Sequence, residues 1–295
     1  MNKVSVYGGL GNQMFQYAFN TVLKAQGVLS RISLLHFFVN SHHNGFELLN
    51  AFNIELNSTD RFKLYLLKKG KFLWKSRLIK SVITPVFYLF SDLFENRYLE
   101  KQEYHYDSNV FNVRNSRFLG TWQSVKYLDG HESIIKEIFK FRTPLDSINT
   151  KLAEEIGADN TVVVHIRRGD YLNPEYRNSH LVIETQDYYI DAIEFFSQKL
   201  VDPVFYFFSD DMNWVKDNFH GSNFKFVDHN DGDQSYLDMY LMSRSSKFII
   251  PNSTFSWWAA WLASNPYKEV ICPFPWIKGR DIQEIYPENW RSSKV

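Results

Sequence analysis

A series of short, almost wholly apolar runs in the second half of the chain limits what it can fold into. The runs are TVVVHI from Thr161, PVFYFF from Pro203, FKFVDH from Phe224, KFIIPN from Lys247 and EVICPF from Glu269. Each is rich in β-branched or aromatic residues and too short for an independent helix. Amphipathic segments near residues 187–200, 211–219, 234–245 and 253–264 separate them. Strands apolar on both faces need helices on both sides, which predicts a parallel sheet fed by helical crossovers. Ligands of such sheets bind beyond the carboxyl ends of the strands. The polar residues of this half cluster there: His165 and Arg167, Ser209 and Asp210, Asp228 and His229, Asn252 and Ser253. The second half therefore reads as a ligand-binding domain.

The first half opens in the same way, with a strand over 4–7, a Gly-Gly-Leu-Gly turn and a helix from about 12 to 26. The pattern then weakens. Residues 61–80 carry Arg61, Lys63, Lys68, Lys69, Lys71, Lys75, Arg77 and Lys80 among apolar side chains, with no acidic residue. Such a stretch can lie on an anionic membrane surface; a helix packed on its own domain with a solvated basic face is the competing account and the preferred one. The polar residues 142–149, with Pro144, set a boundary that gives domains 1–145 and 146–295.

A length of 295 residues accommodates two domains. Lys plus Arg and Asp plus Glu both total 33, so net charge gives no support to a nucleic-acid partner, and none is expected. The single Cys272 excludes an intramolecular disulfide and a cysteine-rich zinc site. No apolar core of a secretory signal follows Met1, and no stretch is long enough to span a bilayer. The best candidate, 81–94, contains Pro85, Ser91 and Asp92. The expectation is a cytoplasmic protein, soluble or peripheral on the inner face of the membrane. Aromatic residues make up 17% of the chain, which suits sugar stacking and aromatic cores equally well.

Three segments carry chemistry. His165-Ile-Arg-Arg-Gly-Asp-Tyr171 places two guanidiniums, an imidazole and a carboxylate at the mouth of a buried strand. Adjacent arginines can fork onto a diphosphate and stay charged; the alternative is that they bridge to acidic neighbours. Asn252-Ser-Thr-Phe-Ser-Trp-Trp258 puts hydroxyls where a helix begins, a place that favours phosphate, with ordinary N-capping as the alternative. Gly8-Gly-Leu-Gly-Asn-Gln13 resembles a dinucleotide turn but has Met14 where the last glycine belongs. Asp231-Gly-Asp233 and Asp210-Asp211 are conceivable cation ligands. The first lies in a polar loop typical of surface turns, and the arginine pair already supplies positive charge. No metal and no cofactor are therefore expected.

HIRRGDY, together with GGLGNQMFQYA and NSTFSWWAAWL, resembles the bacterial α-1,2-fucosyltransferases of glycosyltransferase family 11. Leu119–Tyr127 and Phe208–Asp211 match in position and order, and the resemblance runs from residue 3 to about 276. It implies an α/β, GT-B-like fold of two Rossmann-like domains facing each other across a cleft. It also implies GDP-fucose as donor, inversion at the anomeric centre, no metal, and a galactose-terminated, possibly lipid-linked glycan as acceptor. The amino-terminal domain would be the acceptor side and the carboxy-terminal domain would bind GDP-fucose. Carried over residue by residue, Arg167 and Arg168 hold the β-phosphate, His165 lies near ribose and guanine, and Asp238 is directed at the nucleoside. Ser253, Thr254 and Ser256 cradle the β-phosphate, Gly9, Gly11, Asn12 and Gln13 face the donor across the cleft, and Asn252 and Asp210 are further donor-binding candidates. Asp170, Glu175 and His180 are equal candidates for the base.

Overall fold

A computed structural model describes residues 1–39, 45–56, 58, 60–62, 64–65, 96–142, 145–180, 183 and 185–295. Residues 66–95 lie outside the described residues, and with them most of the basic stretch 61–80 and the apolar segment 81–94. Two compact units are present, 1–140 and 141–295, dividing a few residues ahead of the boundary placed at 145. Each is built on a parallel sheet, as the GT-B-like expectation requires. No helix among the described residues is long and apolar enough to cross a membrane.

In the first unit the strands are β1 (Asn2–Ser5), β2 (Ser30–Ser33), β3 (Asn96–Leu99) and β4 (Ser116–Leu119), in the order β2-β1-β4-β3. The helix Leu10–Ala25 follows β1 directly and buries Met14, Phe15, Phe19, Val22 and Leu23, an i, i+1, i+5, i+8, i+9 stripe. Phe19 lies at the centre of a core with Val4, Phe118, Trp122 and Tyr127. β2, β3 and β4 escape sequence reading because SRIS, NRYL and SRFL are short and at least half hydrophilic.

The second unit holds β5 (Thr161–Ile166), β6 (Val204–Ser209), β7 (Phe224–Val227), β8 (Lys247–Ile249), β9 (Glu269–Phe274) and β10 (Arg291–Lys294). Their order is β10-β9-β8-β5-β6-β7, all parallel. Every residue of β5 is buried, as a strand covered on both faces must be. β10, with the sequence RSSK, was not anticipated: at a sheet edge it has no apolar face to fill. The helices Asp187–Lys199, Met212–Asn218, Tyr236–Met242 and Thr254–Leu262 fall within the amphipathic segments. An additional helix, Ser147–Ile156, begins inside the polar stretch, where Asp146 caps it by accepting from the Asn149 N–H at 2.9 Å.

The aromatic content is largely core. Trp122, Trp257, Trp258 and Trp276 are fully buried, and Phe207 packs against Phe219, Phe224 and Phe226. The chain order reverses between β5 and β8, the crossover from β5 leading to β6 on one side and that from β8 to β9 on the other. At such reversals neighbouring crossovers leave in opposite directions and open a crevice at the carboxyl ends of the strands.

Phe207→Ala should lower the stability of the second unit by about 3–5 kcal/mol, the usual cost of a cavity left by a buried phenylalanine. Phe207→Leu should cost less than half as much. Urea titration followed by tryptophan fluorescence checks both values.

Candidate active site

The β5–β8 reversal brings together segments that are far apart in sequence. β5 pairs with β8 through Val163–Phe248 and Val164–Ile249, so His165–Asp170 and Asn252–Ser256 leave the sheet side by side. The Tyr188 hydroxyl holds the end of β8 in place, donating to the Ile250 carbonyl at 2.6 Å, with the Ile271 carbonyl at 3.1 Å. Tyr171 donates to the Asn252 carbonyl at 2.9 Å, and Asn252 Nδ2 to the His180 carbonyl at 2.8 Å.

His165 is buried, its Nδ1 2.8 Å from Ser256 Oγ. Burial, with Arg167 adding to it, pushes the imidazole down to about 3, so the ring is neutral at physiological pH. It can offer a hydrogen bond to a ligand but no charge. Ser256 is also fully buried, serving His165 and the Ser253 carbonyl. Ser253 is the N-cap residue of Thr254–Leu262 and makes no side-chain cap bond. The capping alternative for its hydroxyl therefore fails.

Both arginines bridge to acidic neighbours. Arg167 contacts Asp170 at 2.8 Å and Asp210 at 3.1 Å. Arg168 contacts Asp211 at 3.4 Å and lies over Trp214, its guanidinium carbon 3.7 Å from the ring centre. Asp210 also accepts from the Arg168 backbone N–H at 2.9 Å. This arrangement requires Gly169, since a Cβ there would sit 2.3 Å from Asp210 Oδ2. Asp210 and Asp211 thus orient the arginines rather than standing as a free cation pair, and Asp211 additionally caps Met212–Asn218. Two guanidiniums face three carboxylates, so the edge carries no net positive charge. What it offers an anion is the remaining N–H directions, since each guanidinium has five donors.

Asp238 sits in the first turn of Tyr236–Met242 and accepts from Asn230 Nδ2 at 2.9 Å. Asn230 is tied in turn to Asn149, which His229 also contacts. Burial pushes the Asp238 carboxyl up to about 7. Asp231 and Asp233 lie exposed around the short turn Gly232–Gln234.

The candidate bases separate. Asp170 is held by Arg167. His180 packs against Tyr171 and Tyr176, with Nδ1 2.7 Å from Ser179 Oγ. Glu175 is exposed on Pro174–His180 with no side-chain partner among the described residues.

In the first unit Gly9 is the N-cap of Leu10–Ala25, Gly11 is buried in that helix, and Asn12 Oδ1 accepts from Gln123 at 2.9 Å. Gln13 is fully buried, and its amide is spent at both ends: Nε2 donates to the Gly8 and Gly45 carbonyls, and Oε1 accepts from the Glu47 N–H. Both of its N–H donors are taken, and its buried side chain shapes the glycine turn. Sequence reading missed Glu100, whose carboxylate binds the turn after β4; nothing in its local sequence marks it.

An alpha-1,2-colitosyltransferase of Escherichia coli is 33% identical over 295 residues, covering 96% of this chain and 95% of its own. The O-antigen biosynthesis glycosyltransferase WbnK of Escherichia coli is 32% identical, with 96% and 97% covered. A galactoside 2-alpha-L-fucosyltransferase of Caenorhabditis elegans is 26% identical, with 63% and 56% covered. The sequence profile of glycosyl transferase family 11 matches residues 1–293. On that match the chain belongs to glycosyltransferase family 11, and its chemistry is glycosyl transfer.

Proposed function

We propose that this protein is an inverting galactoside α-1,2-L-fucosyltransferase, moving fucose from GDP-β-L-fucose to the 2-hydroxyl of a terminal galactose in a surface glycan. The observation that carries this reading is the meeting of the His165–Asp170 and Asn252–Ser256 segments at the β5–β8 reversal. As the C1–O bond of the donor breaks, negative charge grows on the departing diphosphate. Arg167 and Arg168, already oriented by Asp210 and Asp211, stabilise that charge together with the start of Thr254–Leu262. His165, neutral and fixed by Ser256, contacts the nucleoside side, and Asp238 accepts from the N–H groups of guanine. The guanidiniums take the place of a metal ion. The 33% identity to a colitosyltransferase supports a second donor, GDP-colitose. Colitose is the 3-deoxy counterpart of fucose, so the choice rests on whether the site bonds a 3-hydroxyl.

Incubation with GDP-fucose and a panel of β-galactosides in EDTA, with NMR of the product, tests the proposal. An α-1,2-linked product should form at a rate within about twofold of the metal-supplemented one. Preference for GDP-colitose in a competition assay would shift the donor, and loss of activity restored by Mg²⁺ would overturn metal independence.

Arg167→Ala and Arg168→Ala should each weaken GDP binding by about a hundredfold or more, because a pair of charge-assisted bonds is lost. Lysine at either position should recover little of it, lacking the planar fork. Calorimetric titration with GDP reads both effects.

The Asp238 carboxylate is the form that accepts from guanine, and its pKa is raised to about 7. GDP affinity should therefore fall as pH drops below 7, approaching about tenfold per pH unit. Asp238→Asn should bind more weakly at pH 8 and lose this component. Titrating guanosine alongside GDP separates it from ionisation of the phosphate.

A further inference from the structure

A chain of side-chain amides in the second unit ends on one carboxylate. Asn149 and Asn230 form a reciprocal pair: Asn149 Nδ2 donates to Asn230 Oδ1 at 3.0 Å, and Asn230 Nδ2 donates to Asn149 Oδ1 at 2.9 Å. A carboxylate stands at each end. Asn149 Nδ2 gives its other N–H to Asp146 Oδ2 at 2.6 Å, and Asn230 Nδ2 gives its other to Asp238 Oδ1 at 2.9 Å. Both asparagines are buried. All their N–H groups are taken, and turning either amide over would aim its oxygen at a carboxylate, so each has one orientation. His229 Nε2 lies 3.1 Å from Asn149 Oδ1, an oxygen that can only accept, which sets the proton on that nitrogen.

The far end is anchored in the backbone. Asp146 is the N-cap of Ser147–Ile156 and accepts from the Asn149 N–H, so Asn149 is held by main chain and side chain together. Asn230 follows β7, and Asp238 lies in the first turn of Tyr236–Met242. Three elements thus meet through polar side chains. Buried amides are costly unless fully paired, and a fully paired network fixes a single geometry.

The geometry it fixes is that of Asp238. Asn230 takes one of about four lone-pair positions on the carboxylate. Oδ2 has no partner among the described residues, and the side chain is half-buried, within reach of a ligand. No cation pairs with it among the described residues. Asp146 and His229 bond to Asn149, Asp231 and Asp233 are exposed, and Glu155 accepts from Tyr206. The helix Thr254–Leu262, packed on the same helix, carries no ionisable residue. Burial raises the proton affinity of Asp238, and the bond from Asn230 opposes that rise.

Resting on the GDP-donor reading above, we propose that Asn230, held by Asn149, is the positioning residue that sets the plane of the Asp238 carboxylate, so that it accepts from both N1–H and the 2-amino group of guanine. Adenine presents an acceptor in place of N1–H and is refused. Hypoxanthine keeps N1–H but lacks the amino group, so it forfeits one bond to the carboxylate. The amide pair is therefore the origin of base selectivity as well as of orientation.

The test measures affinities for GDP and inosine diphosphate by calorimetry, at pH values on both sides of the Asp238 pKa of about 7, in wild type and Asn230→Ala. Both nucleotides carry the same diphosphate, so their ratio cancels phosphate ionisation. Above that pKa, wild type should prefer GDP about tenfold, the worth of one bond to a charged group. Asn230→Ala should cut the preference to within about threefold. It should also move the pH at which GDP affinity is half lost upward by about one unit, because a carboxylate deprived of a donor holds its proton more tightly. A retained preference or an unmoved midpoint overturns the proposal alone, as does a wild type that binds both nucleotides equally. A wild type that binds neither overturns the GDP-donor reading and this proposal with it. Should Asn230→Ala fail to fold, Asn149→Ser decides: the preference should fall at least about threefold, and an unchanged preference overturns the proposal.

Discussion

The second unit's functional edge depends on the approach of Asp210 to Gly169. Only a residue without a Cβ lets that carboxylate lie against the turn after β5, where it accepts from the Arg168 backbone and pairs with Arg167. The guanidiniums are aimed by this contact before any ligand arrives. Orientation fixed in advance is what electrostatic stabilisation of a leaving group needs, since donors that must reorganise during the reaction lose much of their effect. The same contact explains why acidic residues stand in a region that would bind an anion. Asp210 and Asp211 reduce the net charge there and in return fix the directions of the N–H groups.

The second unit was far more legible in sequence than the first. β5, β6, β8 and β9 are covered on both faces, so burial writes itself into unbroken apolar runs such as TVVVHI and VFYFF. β10 and β3 lie at sheet edges, where RSSK and NRYL are acceptable and no apolar pattern is required. In the functional edge, the motif around Arg167 and the hydroxyls around Ser253 were visible because each is a local cluster. The partners of the arginines were not, because the Asp210–Gly169 approach is a property of how β5 and β6 pair. Gln13 is a case where sequence showed the position but not the environment: its place in a glycine-rich turn suggested a ligand contact, and the structure shows its buried amide bonding three backbone groups of its own unit.

Glu100 was the least legible residue of all. It acquires its environment from three strand exits and from Trp122, whose backbone strain only coordinates reveal. Each unit has a glycine-dependent carboxylate contact at neighbouring strand exits, Gly169 against Asp210 in one and Gly120 against Glu100 in the other. The repetition has a simple cause. Paired parallel strands bring their exits side by side, and a missing Cβ in one exit lets a carboxylate from the other approach it.

The carboxylates of the two edges differ in the groups that hold them, and that difference sets what each is suited to. Asp170, Asp210 and Asp211 lie on guanidiniums, so their charge is already used to hold a cation in position. Glu100 and Asp238 are oriented by neutral N–H donors, and burial raises the proton affinity of both. Groups of the first kind suit a site whose substrate gains negative charge, since they fix the cations that meet it. Groups of the second kind suit proton acceptance or recognition of N–H and O–H donors. Environments that pull like side chains apart in this way let one protein perform both tasks at one pH.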